Sequence, residues 1–461
     1  MMGEQSKSEA LFYYFKLEDH VPQTHLLRLI DRYVDFGFLR QRLRPLYSET
    51  GRPSVDPEVL LRMLLIGYLY GITSERRLCE DVGMHLAYRW FLGLGFDQAV
   101  PHHSTFSKNR HGRFKESELF RNLFEEIVGR CLAAGLVEGE SFSVDGSLIE
   151  ADAGRASRVR RDELAEVAKV SHTVRQYLAE IEAENPVSEG DESDDDDASG
   201  AGCSADGKAG GTVSKSDPDA TWAAKNGPAK FAYYDNYLID NAHGVIVGVE
   251  ATAARFSEEV RAARAMLERT ERTFGLRPSS LGADKAYGSG AFLAWLQTQG
   301  IQPHIPVIDR RGQTQGRFSR DRFTYDGEAD VYICPEGETL AYVGIDAQSQ
   351  ANIYRASPNR CRGCPQKNAC TRGPCRKLSV SWHEPARQSV RELAKTEAYQ
   401  RSRRQRYKVE RLFGELKTRI NLRRLRLRRL RNASEQFLMA ATAQNLKRLV
   451  KHLDRMETQP V

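Results

Sequence analysis

The chain contains 461 residues, of which 40% are hydrophobic and 28% charged, a balance typical of a soluble globular protein with two to four domains. Its most apolar stretch, residues 59–72, includes Arg62 and is too short to span a bilayer, and the N-terminus lacks a signal-peptide pattern. These features exclude a membrane protein and a secreted disulfide scaffold, so we expect a cytoplasmic protein. The net charge is only +6, but it is unevenly distributed along the chain.

Residues 20–135 show helical periodicity, and we predict a helical N-terminal domain over residues 1–135. One helix is expected to begin with Asp56 as its cap and Pro57 at its first position. Further helices are predicted, in chain order, over residues 73–95 with a break near Gly83, over 104–114 and over 116–136.

From residue 136 onward, alternating and β-branched strands are interleaved with helices, which favours an α/β layer structure over a second domain at 136–455. The first strand starts near Phe142 and is expected to end at Asp145, because Gly146 and Ser147 are common turn residues. A structural turn is therefore one possible role of Asp145. Later elements are predicted as strands over 231–254, a helix over 257–275, a strand–turn–helix over 281–300 and a strand over 301–307.

Residues 187–219 are acidic and then rich in Gly and Ser, with almost no apolar side chains. Such a segment cannot bury enough surface to order itself, so we predict a disordered linker. The alternative is an acidic decoy that competes with DNA for a basic surface elsewhere in the chain.

Five of the eight cysteines lie within residues 334–375, in a predicted cysteine-rich insertion over 325–380. A C-x₂-C pair with further cysteines nearby is typical of a tetrahedral zinc site. The alternative is a group of reduced thiols without a metal.

Residues 401–432 contain 14 Lys or Arg but only Glu410 and Glu415 as acids, and they lack proline. We predict a long basic helix on which Arg403, Arg406, Glu410 and Lys417 form one stripe. A solvated face with local ion pairs is the ordinary interpretation. The excess positive charge instead favours nucleic acid, whose phosphates release counterions on binding.

Phosphodiester cleavage needs an activated water and a stabilised leaving oxygen, which two Mg²⁺ ions about 4 Å apart can supply. Mg²⁺ prefers carboxylate oxygens and keeps several waters, so a few acids suffice. Asp145, Asp284 and Glu410 are the candidates. Each has a structural alternative: a turn residue for Asp145, the N-cap of a helix over 285–299 for Asp284, and a helix ion pair for Glu410.

Three motifs give these acids a specific context. They are VDGS at 144–147, ADKAY at 283–287, and the spacing of Arg406, Glu410 and Lys417. With them, residues 20–455 resemble the cut-and-paste DDE transposases of bacterial insertion sequences, except that Arg403 stands where the family has a tyrosine.

The resemblance implies an RNase H-like catalytic core in which Asp145, Asp284 and Glu410 hold two Mg²⁺ (or Mn²⁺) ions. It implies excision and insertion of a mobile DNA element at its inverted-repeat ends by a homodimer in the bacterial nucleoid. The N-terminal domain would bind DNA or dimerise. The cations expected to bind double-stranded DNA are Arg403, Arg406, Arg411, Lys417, Arg419, Arg423 and Arg424.

The resemblance also implies a structural zinc ion in the insertion. The ligand set it indicates is Cys334, Cys361, Cys364 and Cys370, with Cys375 spare.

Two other functions fit the same residues: a non-catalytic DNA-binding regulator, and a nuclease derived from such a transposase. Because binding alone needs no divalent metal, a metal requirement separates the regulator from the enzymes. Three further acids compete for the first metal-ligand position, namely Glu150, Asp152 and Asp240, and Asp240 is also a candidate metal-adjacent residue.

Overall fold

A computed structural model describes residues 15–48, 50, 54–111, 113–116, 118–171, 174–175, 212–224, 227–308 and 316–458. The protein is a mixed α/β structure, as predicted. It divides into two compact units: a first unit of residues up to 138, 146–276 and 408 onward, and a second unit of residues 139–145 and 277–407.

The N-terminal part of the first unit is helical, as predicted. Its helices are α1 (Leu17–His20), α2 (Leu26–Tyr33), α3 (Phe38–Leu43), α4 (Pro57–Leu69), α5 (Glu75–Met84), α6 (Leu86–Leu92), α7 (Ser104–His111), α8 (Arg113–Glu116) and α9 (Leu119–Ala133). None of the helices in the described part of the chain has both the length and the apolarity needed to cross a membrane.

The capping signals in the sequence are confirmed at α4. Asp56 accepts a hydrogen bond from the Glu58 backbone N–H at 2.9 Å, and Pro57 opens the helix. The break predicted near Gly83 is confirmed, and it lies at His85, between α5 and α6.

The rest of the first unit combines a sheet with helices from both ends of the chain. Its elements are β2 (Arg158–Arg160), α10 (Leu164–Val170), β3 (Thr212–Ser214), β4 (Thr221–Ala223), β5 (Lys230–Asp240), β6 (Ile246–Ala253), α11 (Phe256–Phe274), α17 (Tyr407–Thr418) and α18 (Leu430–Thr458). Strand β5 pairs antiparallel with β4 and β6. Helix α18 packs on α9 and β6, where the Asn445 side chain bonds both backbone groups of Ile246 at 2.8–3.0 Å.

Strand β1 (Ser141–Glu150) contributes its first five residues to the second unit and its last five to the first. In the second unit, β7 (Ser280–Gly282) pairs parallel with β1 and β8 (Gln302–His304) pairs parallel with β7. The helices of this unit are α12 (Gly290–Thr298), α13 (Pro358–Arg362), α14 (Lys367–Cys370), α15 (Glu384–Leu393) and α16 (Glu397–Gln405).

The predicted insertion contains a five-stranded antiparallel sheet, which the sequence pattern did not indicate. Its strands are β9 (Thr324–Asp326), β10 (Val331–Ile333), β11 (Thr339–Asp346), β12 (Ala351–Ala356) and β13 (Lys377–Ser381), in the order β13-β12-β11-β10-β9. Its small core contains Tyr332, Leu340, Tyr354 and Leu378.

The prediction of a disordered linker is wrong for its last residues, 212–219. Thr212–Ser214 form β3, and the buried Asp217 accepts hydrogen bonds from the Tyr233 hydroxyl at 2.7 Å and the Arg429 N–H at 2.9 Å. The composition of the segment could not predict that residues 212–219 are ordered, because the partners of Asp217 are distant in the sequence. Residues 187–211 lie outside the described residues.

Candidate active site

Strand β1 does not end at Asp145, so the prediction that the strand ends there is wrong, and so is the turn considered as an alternative role of Asp145. The strand continues to Glu150, whose backbone N–H donates to the Arg423 carbonyl at 3.1 Å and whose carbonyl accepts from the Leu425 N–H at 2.7 Å. These bonds come from a segment near the other end of the chain, which local turn propensity cannot anticipate.

Gly146 serves close packing rather than a turn. A Cβ atom at this position would lie 2.7 Å from Glu259 Oε1 and 2.8 Å from Asn236 Oδ1, both of which are buried. Only glycine allows these polar side chains to approach the β1 backbone directly after Asp145.

The strand register places Asp145 and Asp284 side by side. Ser143 is opposite Gly282 in the parallel β1–β7 pair, and each acid lies two residues further along its strand direction. Asp284 still has an extended backbone, with φ −78° and ψ 178°. Neighbouring strands lie about 4.8 Å apart, so two carboxylates at equivalent positions on one face can share a cation.

Asp284 also acts as an N-cap, which was the structural alternative for this residue, but it does not cap the predicted helix over 285–299. Its Oδ1 atom accepts from the Ala286 N–H at 2.8 Å and caps the short 3₁₀ turn Lys285–Tyr287, whereas Ser289 caps α12. Because this bond uses one carboxylate oxygen, Oδ2 remains available as a ligand.

Arg406 approaches Asp145, with 4.0 Å between Nη2 and Oδ2 and side-chain exposures of 20% and 17%. Arg406 lies at the junction between α16 and α17, so the prediction of one continuous basic helix is wrong. Periodicity could not locate this break, because the buried residues Tyr399, Ser402, Val409 and Leu412 keep helical spacing across it. The two helices instead belong to different units.

Glu410 lies on α17 and is exposed. Within the part of the chain that the structure describes, it has neither a hydrogen bond nor an ion pair, so the helix ion pair considered as its alternative does not form. An acid without a partner among many arginines is available for a divalent cation.

Five of the seven predicted DNA-binding cations fall into two classes, while Arg406 lies beside Asp145 and Lys417 has an interaction of its own. Arg403, Arg411 and Arg419 are exposed and form no ion pair with another described residue. Arg424, in contrast, pairs with Asp152 at 3.3 Å, and Arg423 donates to the Lys417 carbonyl at 3.1 Å. Helix α17 ends at Thr418, so the cations beyond it lie on an irregular segment and not on a helix.

The three competing acids have structural partners. Glu150 pairs with Lys230 at 3.3 Å, and Asp152 pairs with Arg428 at 3.1 Å as well as with Arg424. Asp240 accepts from the Glu138 N–H at 3.2 Å and from the Ala242 N–H at 2.8 Å, which fixes the turn after β5.

The four cysteines predicted as zinc ligands lie in one region. Cys334, Cys361 and Cys370 pack against the core of the insertion. Burial raises the pKa of the Cys370 thiol, and Cys361, Cys334 and Cys364 raise it further, while Arg376 opposes them. However, the described residues contain no group of three or more His, Cys, Asp or Glu side chains arranged to hold a metal ion, so the geometry does not support the zinc prediction. The same finding applies to the predicted catalytic acids: the structure does not assemble Asp145, Asp284 and Glu410 into one metal-binding group, and Glu410 belongs to a different unit from the two aspartates.

The sequence interpretation missed Asp235, on β5. This carboxyl is fully buried, neither oxygen has a hydrogen-bond partner of good geometry among the described residues, and burial raises its pKa well above the ordinary value. Tyr237 and Lys417 act on this pKa in the opposite direction. The available signal was an acid within the apolar strand KFAYYDNYLID.

Two family models match the chain. Residues 15–112 match Transposase domain (DUF772), and residues 333–450 match Transposase DDE domain. The second match includes the five clustered cysteines and Glu410, whereas Asp145 and Asp284 lie outside both. No curated protein and no solved structure matches the chain. The two transposase-domain matches support an insertion-sequence DDE transposase, an enzyme that cleaves and transfers DNA.

Proposed function

We propose that this transposase excises and inserts its element with an RNase H-like core in which Asp145, Asp284 and Glu410 are the metal ligands. The observation that supports the proposal is that Asp145 and Asp284 each follow, by two residues, the paired residues Ser143 and Gly282 of two adjacent parallel strands. Glu410 joins them in the proposal because it is a carboxylate without a partner among the described residues.

The three carboxylates fit Mg²⁺ or Mn²⁺ by their chemistry, since hard divalent cations take carboxylate oxygens and need few protein ligands. Two such ions, when bound, activate water and stabilise the leaving 3′-oxygen. Asp284 keeps one oxygen in its backbone cap, which fixes the direction of the other. Arg406 adds a positive charge beside Asp145 and orients that carboxylate.

The arginine-rich segment supplies the proposed DNA contacts. The proposed set is Arg403, Arg406, Arg411, Lys417, Arg419, Arg423 and Arg424. Within it, Arg403, Arg411 and Arg419 should give the largest gain from phosphate contact, because they form no ion pair with a described residue and so lose none on binding. The helical N-terminal domain over residues 1–135 would recognise the element's ends or form the homodimer that holds both ends together.

A cleavage assay tests the catalytic proposal. A plasmid that carries the element's inverted repeats is incubated with Mg²⁺ and wild type, Asp145→Asn or the control Asp162→Asn, whose exposed carboxylate pairs with Arg160. We expect cuts at the repeat ends by wild type and control only. Cutting by Asp145→Asn at the wild-type rate would remove Asp145 from the site. Cutting without joining would favour the nuclease function, and metal-independent binding without cutting would favour the regulator.

Metal analysis tests the zinc prediction for the insertion. Its support is the proximity of three further thiols, those of Cys334, Cys361 and Cys364, to Cys370. One zinc per chain, lost in Cys364→Ser but retained in Cys375→Ser, would establish the proposed set. Absence of zinc from the purified wild type would establish reduced thiols.

A further inference from the structure

Helix α16 crosses the parallel strands of the second unit with one face. Tyr399, Ser402 and Arg406 are spaced three and four residues apart, so they lie along one side of the helix. Tyr399 contacts β8 through His304, Ser402 lies against β7 at Gly282, and Arg406 reaches β1 at Asp145. The position of Arg406 therefore depends on how Tyr399 and Ser402, on the same face of α16, pack against the sheet.

His304 supports the beginning of this face. Its ring is only 4% exposed and meets the Tyr399 ring edge-on, with 5.5 Å between the ring centroids. Neither ring nitrogen has a hydrogen-bond partner among the described residues, and burial lowers the pKa of the imidazole. The neutral ring therefore acts on α16 by shape and by its contact with an aromatic ring.

Gly282 sets the distance between the helix and β7. A Cβ atom at this position would lie 2.9 Å from Ser402 Oγ and 3.2 Å from Ser143 Oγ. The φ of Gly282 is not in the left-handed region, so glycine is present here for space. Since His304 is opposite Gly282 and Gly282 is opposite Ser143, these three residues form one row across the sheet, two residues before Asp145 on β1.

We propose that His304 and Gly282 are positioning residues, which seat α16 on the sheet at the spacing that brings Arg406 to the Asp145 carboxylate. The inference rests on the proposed function, because it assigns Asp145 a role in cleavage. Among the described residues, neither the His304 ring nor the Ser402 hydroxyl forms a hydrogen bond that would hold α16 in this position. The position of the helix therefore depends on the contact between the two rings and on the lack of a side chain at Gly282.

The first test compares His304→Ala with His304→Phe in the full chain. Displacement of a positioned group by about 1 Å can cost on the order of 100-fold in rate, so we expect His304→Ala to slow end cleavage about 10- to 100-fold. Because Arg406 is also in the proposed DNA-binding set, affinity for end DNA should fall no further than in Arg406→Ala, and His304→Phe should recover most of the rate. A loss of affinity larger than that in Arg406→Ala, or a Phe variant as slow as the Ala variant, would overturn the proposal.

Two further variant pairs separate positioning from general stability. In an Arg406→Ala background, His304→Ala should cause no additional decrease in rate, because the two residues act through one contact. Gly282→Ala should slow cleavage, and Gly282→Ala with Ser402→Ala should restore it, since the second change removes the clashing oxygen. Additive decreases, or no rescue, would contradict the proposed series of contacts.

Hydrogen exchange distinguishes this inference from the proposed function. His304→Ala should accelerate amide exchange at residues 397–405 relative to wild type, without DNA or metal. Unchanged exchange there would refute the positioning role even in an active enzyme. If Asp145→Asn cleaves like wild type, the assignment of Asp145 fails, and with it the catalytic meaning of the positioning, whereas the exchange result still decides whether His304 seats α16.

Discussion

Two parts of the arginine-rich segment both contain arginines but differ in how many of these already have an acidic partner. Arg411 and Arg419 are exposed and have no ion pair among the described residues. Beyond them, Arg424 and Arg428 share Asp152, and Arg429 pairs with Asp219 at 2.9 Å. An arginine already neutralised by the protein exchanges one partner for another when it meets phosphate. The number of arginines therefore overstates the electrostatic contribution of this segment to DNA binding.

The largest expected effect concerns the acid among the unpaired cations. Glu410→Gln should lower end cleavage by about 10²- to 10³-fold, the cost of removing one electrostatic stabiliser of a transition state. DNA affinity should persist or rise, because a negative charge is removed. Rates and binding are measured separately on end DNA, with Glu397→Gln on α16 as control. A parallel loss of binding would contradict a purely catalytic role.

The paired part of the segment should make stability depend on pH through Asp217. Burial raises the pKa of this carboxyl to about 6 from its ordinary 3.8, against the hydrogen bonds from Tyr233 and Arg429. The folded state therefore binds more protons between these values, and stability falls as pH rises from about 4 to 6.

Asp217→Asn keeps an acceptor for both donors but removes the ionisation. At pH 7.5 it should stabilise the fold by up to roughly 3 kcal/mol and flatten the pH dependence in this window. Urea unfolding at pH 4.5 and 7.5 measures the change, and Asp97→Asn, at an exposed position, serves as control. An equal stability of variant and wild type at pH 7.5 would show that the Asp217 carboxylate does not destabilise the folded state.

The unpaired cations should dominate the salt dependence of binding. Arg411→Ala with Arg419→Ala should reduce the slope of log K against log[salt] by about 0.9 for each phosphate that is no longer neutralised. Arg424→Ala with Arg428→Ala should reduce it less. Binding titrations across a salt series compare the two double variants. Equal slopes would contradict the proposed difference between unpaired and paired arginines.

The smallest expected effect comes from a variant that converts the paired arginines into unpaired ones. Asp152→Asn releases Arg424 and Arg428 from their shared acid and should cost no more than about 1 kcal/mol of stability, since such pairs are partly exposed. Affinity for DNA should rise and its salt slope should steepen, as binding titrations on end DNA would show. If neither changes, the two arginines do not reach DNA even when free.

Local signals in the sequence identified much of the fold. The Asp56 cap, the strands within residues 231–254, the helix Phe256–Phe274 and the order β7, turn, α12 all follow from periodicity and capping residues. The signals failed where distant segments decide. Strand β1 continues past Asp145 because residues 423–425 extend its pairing, and the five-stranded sheet of the insertion has weak alternation around its cysteines.

The sequence by itself determined the chemical inventory: acids in recognisable motifs, a cluster of cysteines and a block of arginines. Only the tertiary structure decided how these groups are placed. It set Asp145 beside Asp284 through the β1–β7 register, brought Arg406 to Asp145, and paired some arginines while leaving others unpaired among the described residues. The physical reason is that register, burial and ion pairing depend on residues far apart in the chain, whereas periodicity and motifs report only on near neighbours.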